Sequence, residues 1–270
     1  MTEKPLDAAT IEDVWRGFLE RADAKEYQSQ RRLFRHLPTD PRCKFCSAPF
    51  RGAGSIFVRS AYGKYPSIMN PRICNVCEAF AAKHHGGAEI ELSMLFADVR
   101  GSTSIAERMS PGEFSQLINR FYKVGTDVLI RSDALVDKLI GDQVTGLYVP
   151  RIAGPDHARI AVGAAKELLS ATGHSAPAGA WIPLGAAVHT GVAFVGAVGS
   201  KDGLTDITAL GDAPNTAARL ASQAAIGEIL VSQEAAKVAK LDTAVLEQRR
   251  LELKGRQQPV SVFVIAVSPA

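Results

Sequence analysis

The stretch Phe96-Ala97-Asp98-Val99-Arg100-Gly101-Ser102-Thr103 sets a carboxylate at the end of an apolar run, Leu92 to Ala97. The run reads as a short buried strand. Gly101 permits a tight turn. Ser102, Thr103 and Ser104 are good N-caps, and Glu107 follows Ser104 at capping-box spacing. Such a turn aims backbone N–H groups at an anion while Asp98 holds a cation beside it. That suits a nucleoside triphosphate carrying a divalent metal. A plain strand-to-helix turn with a solvated Asp has the same letters, so the stretch alone leaves both readings open.

The second chemical set is Cys43, Cys46, Cys74 and Cys77, two C-x2-C pairs separated by 27 residues. In a reducing compartment this spacing reads as a metal site rather than two disulfides. Four thiolates close a tetrahedral zinc site. An iron–sulfur cluster and a redox CxxC pair are the competing readings.

Elements must position these groups. Residues 8 to 35 read as a helix, with Ile11, Val14, Trp15, Phe18 and Leu19 on one face and Arg31, Arg32 and Arg35 at its end. Arg51 to Gly54 reads as a turn and Ile56-Phe57-Val58 as a short strand. Ser110 caps a helix with Pro111 in its first turn. Residues 134–140 and 143–149 form a hairpin with Gly141-Asp142 at its tip. Pro150 to Pro155 reads as a loop, and Asp156 caps the helix after it. Leu184 to Thr190 and Val192 to Val198 read as a second hairpin, turning at Thr190-Gly191. Helices over 213–225 and 233–240 and strands over 229–232, 245–253 and 260–267 complete an α+β pattern with a mostly antiparallel sheet. Asn215 and Arg219 are four apart and share a helical face.

The 270 residues are 46% hydrophobic, enough for one domain with a large core plus a smaller appendage. A formal net charge of +3 gives no basis for a nucleic-acid partner or an anionic membrane. No run reaches 18 apolar residues and the first ten residues are polar, so the expected location is cytoplasmic, with no membrane partner.

The second half resembles the class III nucleotidyl cyclase catalytic domain over roughly Glu89 to Ala266. The motifs, in order, are FADVRGST at 96–103, DKLIGD at 137–142, AVHTGVAFVGAVGS at 187–200, ALGDAPNTAARL at 209–220 and LKG at 253–255. The resemblance implies a ferredoxin-like (βαββαβ-derived) α+β fold, its sheet flanked by helices. With the cysteine spacing, its reach divides the chain into an N-terminal helical segment (1–39), a four-cysteine zinc-ribbon-like module (40–87) and a catalytic domain (88–270).

It also implies roles. Asp98, Asp142 and the Val99 carbonyl would hold two Mg2+ or Mn2+ ions. Arg219 would contact the α-phosphate in the transition state and Asn215 would orient the ribose. Arg100, Gly101, Ser102, Thr103 and Lys254 would bind phosphates. Lys138 and Thr208 would read the purine. Guanylyl members carry an acid where this chain has Lys138, so the pair favours ATP. Many members have Asp at the position of Thr208, and this chain is similar to the subgroup with Thr. The implied activity is conversion of ATP to cyclic AMP and pyrophosphate, at sites shared across a head-to-tail homodimer. A catalytically silent nucleotide-binding module and a guanylate cyclase are the alternatives. One structural Zn2+, or an iron–sulfur cluster, is expected at the cysteines.

Overall fold

The computed structural model describes residues 8–20, 25–37, 41–68, 71, 73–199 and 205–268. In chain order the elements are α1 (Ala8–Glu20), α2 (Lys25–His36), α3 (Gly52–Tyr62), α4 (Asn75–Lys83), β1 (Gly87–Val99), α5 (Ser102–Glu107) and α6 (Pro111–Arg131). Next come β2 (Leu135–Ile140), β3 (Gln143–Tyr148), α7 (Pro150–Ala153), α8 (His157–Ala171), β4 (Leu184–Gly199) and β5 (Thr205–Leu210). The last are α9 (Asp212–Gln223), β6 (Glu228–Ser232), α10 (Gln233–Ala239), β7 (Glu247–Leu251) and β8 (Val260–Ala266). Among the described residues, no helix is long and apolar enough to cross a membrane.

The chain divides into two compact units. The first comprises Met1–Ile90, Pro150–Ile152 and Ala193–Leu210, and the second comprises Glu91–Val149, Ala153–Val192 and Gly211–Ala270. Strands β1 and β4 each pass through both.

The core of the first unit is aromatic. Trp15 and Leu19, one turn apart on α1, are buried. Trp15 meets Phe80 edge-on at 5.1 Å and donates from Nε1 to the His84 carbonyl at 2.5 Å. Phe18 stacks on Phe45 and Phe80 at 4.8 and 4.4 Å. Each buried ring contributes roughly 1.5–3 kcal/mol by leaving water. In this unit β5 pairs antiparallel with the end of β4, from Phe194 opposite Leu210 to Gly199 opposite Thr205. Helix α4 packs against β5.

In the second unit the sheet order is β2-β3-β1-β4-β6-β8-β7. The β2–β3, β1–β3, β6–β8 and β7–β8 pairs are antiparallel, and β4–β6 is parallel. Helices α6, α8 and α10 supply Phe121, Leu129, Leu168, Leu169 and Ala235 to a core shared with Leu95, Val144, Tyr148, Val188 and Ile229. Helix α6 starts with a full capping box: Glu113 N–H donates to Ser110 Oγ at 3.3 Å, and Ser110 N–H to Glu113 Oε2 at 2.8 Å. This is the mixed α+β fold, helices against a mostly antiparallel sheet, that the motifs imply.

Several local expectations are corrected. The helix expected over 8–35 is two helices, and residues 21–24 lie outside the described set. Ile56-Phe57-Val58 is not a strand but the middle of α3. Gly54 and Val58, four apart, form its buried face, and left-handed Gly63 closes it through an N–H bond to the Arg59 carbonyl. Gly191 is not a turn. Residues 184–199 are one continuous strand, and Gly191 is not in the left-handed region. A Cβ there would lie 3.0 Å from Ala213 Cβ, so the glycine serves close approach of α9. The Ser104–Glu107 box does not form, because α5 begins earlier with left-handed Gly101 (φ 69°) as N-cap. Residues 150–153 are the helical turn α7, not loop. Asp156 is the α8 N-cap by position but makes no side-chain capping bond; its carboxylate pairs with Arg159 at 2.6 Å.

Candidate active site

Asp98 stands near the C-terminal end of β1, paired opposite Gln143 at the start of β3. The β2–β3 turn, with left-handed Gly141 (φ 63°), brings Asp142 to the same place. Val99 N–H donates to the Asp142 carbonyl at 3.1 Å, which fixes the two acidic segments together. Tyr122 of α6 donates its hydroxyl to the Gly141 carbonyl at 2.7 Å and braces the turn.

Electrostatics at this corner favour a cation. Burial pushes the Asp98 carboxyl above its ordinary value; Arg100 opposes that push and the Asp142 carboxylate adds to it. Two carboxylates that repel each other at one partly buried spot are the donor set that hard divalent ions take. The residues therefore fit the metal that the resemblance implies. Arg100 forms an ion pair with Asp98 through Nη2 and donates from Nη1 to the Ser222 carbonyl at 2.5 Å. The N–H groups of Val99 and Arg100 are committed to the Asp142 and Pro183 carbonyls, so they are not available to an anion.

Helix α9 carries Asn215, exposed, and Arg219, half-buried, one turn apart. Left-handed Gly255, next to Lys254, places its Cβ direction 3.4 Å from Arg219 Nη2, so the Lys254-Gly255 turn lies against that guanidinium. Arg256 ties the same turn to α9, donating to Asp212 Oδ2 at 2.8 Å and to Thr216 Oγ1. Among the described residues the side chains of Lys138, Asn215, Arg219 and Lys254 make no hydrogen bond or ion pair. Lys138 follows a register shift on β2, between Val136 and itself, and is half-buried. Thr208 belongs to the first unit, buried on β5 opposite Gly196.

The four cysteine sulfurs also converge, each within 4.8 Å of the others and all buried. None is in a disulfide. They form a cluster able to hold a metal ion. Sequence reasoning missed Tyr122, Arg256 and the ion pair of Lys44 with Asp206. The first two lie outside any motif, and the third joins residues 162 apart in the chain.

A family profile for the adenylate and guanylate cyclase catalytic domain matches residues 88–266. The chain belongs to that family. Among curated relatives it is 29% identical over 170 residues to an adenylate cyclase of Mycobacterium bovis, covering 62% of this chain and 37% of the relative. It is 32% identical over 146 residues to adenylate cyclase 1 of Rhizobium meliloti, covering 51% and 22%. The chain thus spans well under half the length of these relatives. Among solved structures, the guanylyl cyclase Cya2 superposes with a TM-score of 0.61 at 25% identity, covering 68% of this chain and 95% of that one. The adenylyl cyclase CyaB from P. aeruginosa shares the fold, with a TM-score of 0.56 at 24% identity over 67% and 95%. The profile match begins at residue 88, so the four cysteines lie outside it.

Proposed function

We propose that the protein is an adenylate cyclase that converts ATP to 3′,5′-cyclic AMP and pyrophosphate. The observation that carries this reading is the apposition of Asp98 and Asp142 at one turn. In the reaction the ribose 3′-oxygen loses its proton and bonds to the α-phosphorus, while the α-phosphorus–oxygen bond to the β-phosphate breaks and pyrophosphate leaves. Asp98, Asp142 and the Val99 carbonyl would hold two Mg2+ or Mn2+ ions, which would lower the pKa of the 3′-hydroxyl and neutralise charge on the pyrophosphate.

The chain's own residues do the rest. Arg219, a planar and permanently charged fork, stabilises charge gathering on the α-phosphate oxygens. Asn215 orients the ribose from one turn away. Lys254 binds the terminal phosphates, and Arg100, Gly101, Ser102 and Thr103 the phosphates beside the acids. Lys138 donates to adenine N1 and Thr208 accepts from the adenine amino group, a pairing guanine does not match. Acids and transition-state residues come from different protomers of a head-to-tail homodimer. The domain division is 1–39, 40–87 and 88–270, with a cytoplasmic location.

A second reading, a silent nucleotide-binding module, is disfavoured because every residue of the implied set is present. The test is incubation of purified protein with ATP or GTP plus Mn2+, with products identified by mass. Cyclic AMP from ATP supports the reading. Nucleotide binding without turnover favours the silent module, and cyclic GMP alone reverses the assignment of Lys138.

A further inference from the structure

The cysteine module brings four buried thiols close enough to share one metal ion. Cys46 Sγ and Cys74 Sγ are 3.7 Å apart. A tetrahedral site with zinc–sulfur bonds near 2.3 Å has sulfurs about 3.8 Å apart. The backbone N–H groups of Cys46 and Cys74 point at Cys43 Sγ, at 3.5 and 3.3 Å, as they do when a thiolate needs donors. Cys43 N–H bonds the Ala48 carbonyl and Ser47 N–H returns to the Cys43 carbonyl, closing a knuckle around the first pair. The second pair straddles the start of α4, with Cys74 at its N-cap.

The knuckle also carries a residue that reaches outside it. Lys44, between the first two ligands, has a side chain only 3% exposed, and its Nζ lies 3.1 Å from Asp206 Oδ1. Asp206 is on β5, two residues before Thr208, so both side chains leave the strand on one side. The same carboxylate oxygen accepts from Ile207 N–H at 2.9 Å, which stiffens the strand at that point. Separating a buried ammonium from a carboxylate partner is costly, so the pair gives the knuckle and β5 a reason to hold their positions together.

We propose that Cys43, Cys46, Cys74 and Cys77 hold one structural zinc ion, and that the knuckle it closes fixes β5 through the Lys44–Asp206 pair, setting where Thr208 is presented. The link to nucleotide choice rests on reading Thr208 as a base-contacting residue; the metal site and its hold on β5 do not.

The experiment uses the full chain. Elemental analysis is expected to give one zinc per chain, and cobalt exchanged into the site is expected to show tetrahedral thiolate absorption. Cys46→Ser is expected to lose the metal. Hydrogen exchange over 205–210 is then compared in wild type, in protein stripped of zinc by a thiol-reactive mercurial and in Lys44→Met. Removing zinc, or the Lys44 charge with zinc retained, is expected to speed exchange there by about tenfold or more while β6 to β8 stay protected. Iron with sulfide, or no metal after purification under reducing conditions with zinc supplied, overturns the site. Zinc retained with β5 exchange unchanged in Lys44→Met overturns the coupling. Neither readout needs turnover, so a failed cyclase assay leaves this proposal separately decided. Where turnover exists, Lys44→Met is expected to lower the ATP-over-GTP ratio of kcat/KM.

Discussion

Mixing two inactive variants measures whether the acids and Arg219 act across a dimer. Arg219→Ala removes a guanidinium that is half-buried and has no hydrogen-bond or ion-pair partner among the described residues. Its effect on folding is therefore small, within about 0.5 kcal/mol. If Arg219 stabilises the α-phosphate as proposed, the loss in turnover should be large, about 10²–10³ in kcat. Asp98→Ala removes one of the two apposed acids and should abolish turnover, while Arg100 can keep its bond to the Ser222 carbonyl. Random reassortment of the two variants makes about half of the dimers mixed, and each mixed dimer has one intact site of two. An equal mixture should therefore recover about a quarter of wild-type activity, and mixed dimers purified through two affinity tags about half. Cyclic AMP is quantified by mass with ATP and Mn2+. Background activity from verified mixed dimers would refute shared sites. Recovery well above one half would refute the two-site count.

Further outcomes follow from single residues. Lys138→Glu should lower kcat/KM for ATP and raise it for GTP, read by competing the two substrates; an unchanged ratio removes Lys138 from base recognition. Burial holds His157, His174 and His189 below the ordinary imidazole value. The unfolded chain takes up protons near pH 6.5 that the folded chain refuses, so stability is full above that pH and is lost as pH falls through it. The melting temperature should fall from pH 7.5 to 5.5, and His157→Gln should make that slope shallower. Gly146→Ala on β3 would set a Cβ 2.5 Å from Leu129 Cδ2, so urea denaturation should show a loss of about 1–3 kcal/mol.

The sequence carried some of these features and hid others for physical reasons. The Gly141-Asp142 hairpin was legible because two apolar runs flank a two-residue turn. The capping box was legible at Ser110, where Pro111 and Glu113 agree, and misleading at Ser104, where left-handed Gly101 starts the helix first. Gly191 misled because a glycine between apolar runs reads as a turn, whereas here it makes room for α9. Ile56 to Val58 misled because β-branched and aromatic residues favour strands, whereas here Ile56 is 72% exposed on a helix that buries Gly54 and Val58. Asp98 and Asp142 reached one site through motifs spaced along the chain. Lys44 and Asp206 did not, because no local pattern links residues that only tertiary packing brings together.

The Arg100–Asp98 pair changes what arrival of a cation means. Asp98 already shares its charge with a guanidinium held by its other arm to the Ser222 carbonyl of α9. On the proposed reading, a metal ion at Asp98 would exchange with a positive charge already there, and Arg100 offsets part of the repulsion between Asp98 and Asp142. A cation bound at Asp98 would then free Arg100 beside the turn of Gly101 to Thr103, where that reading places the phosphates, so one side chain would serve both states of the site.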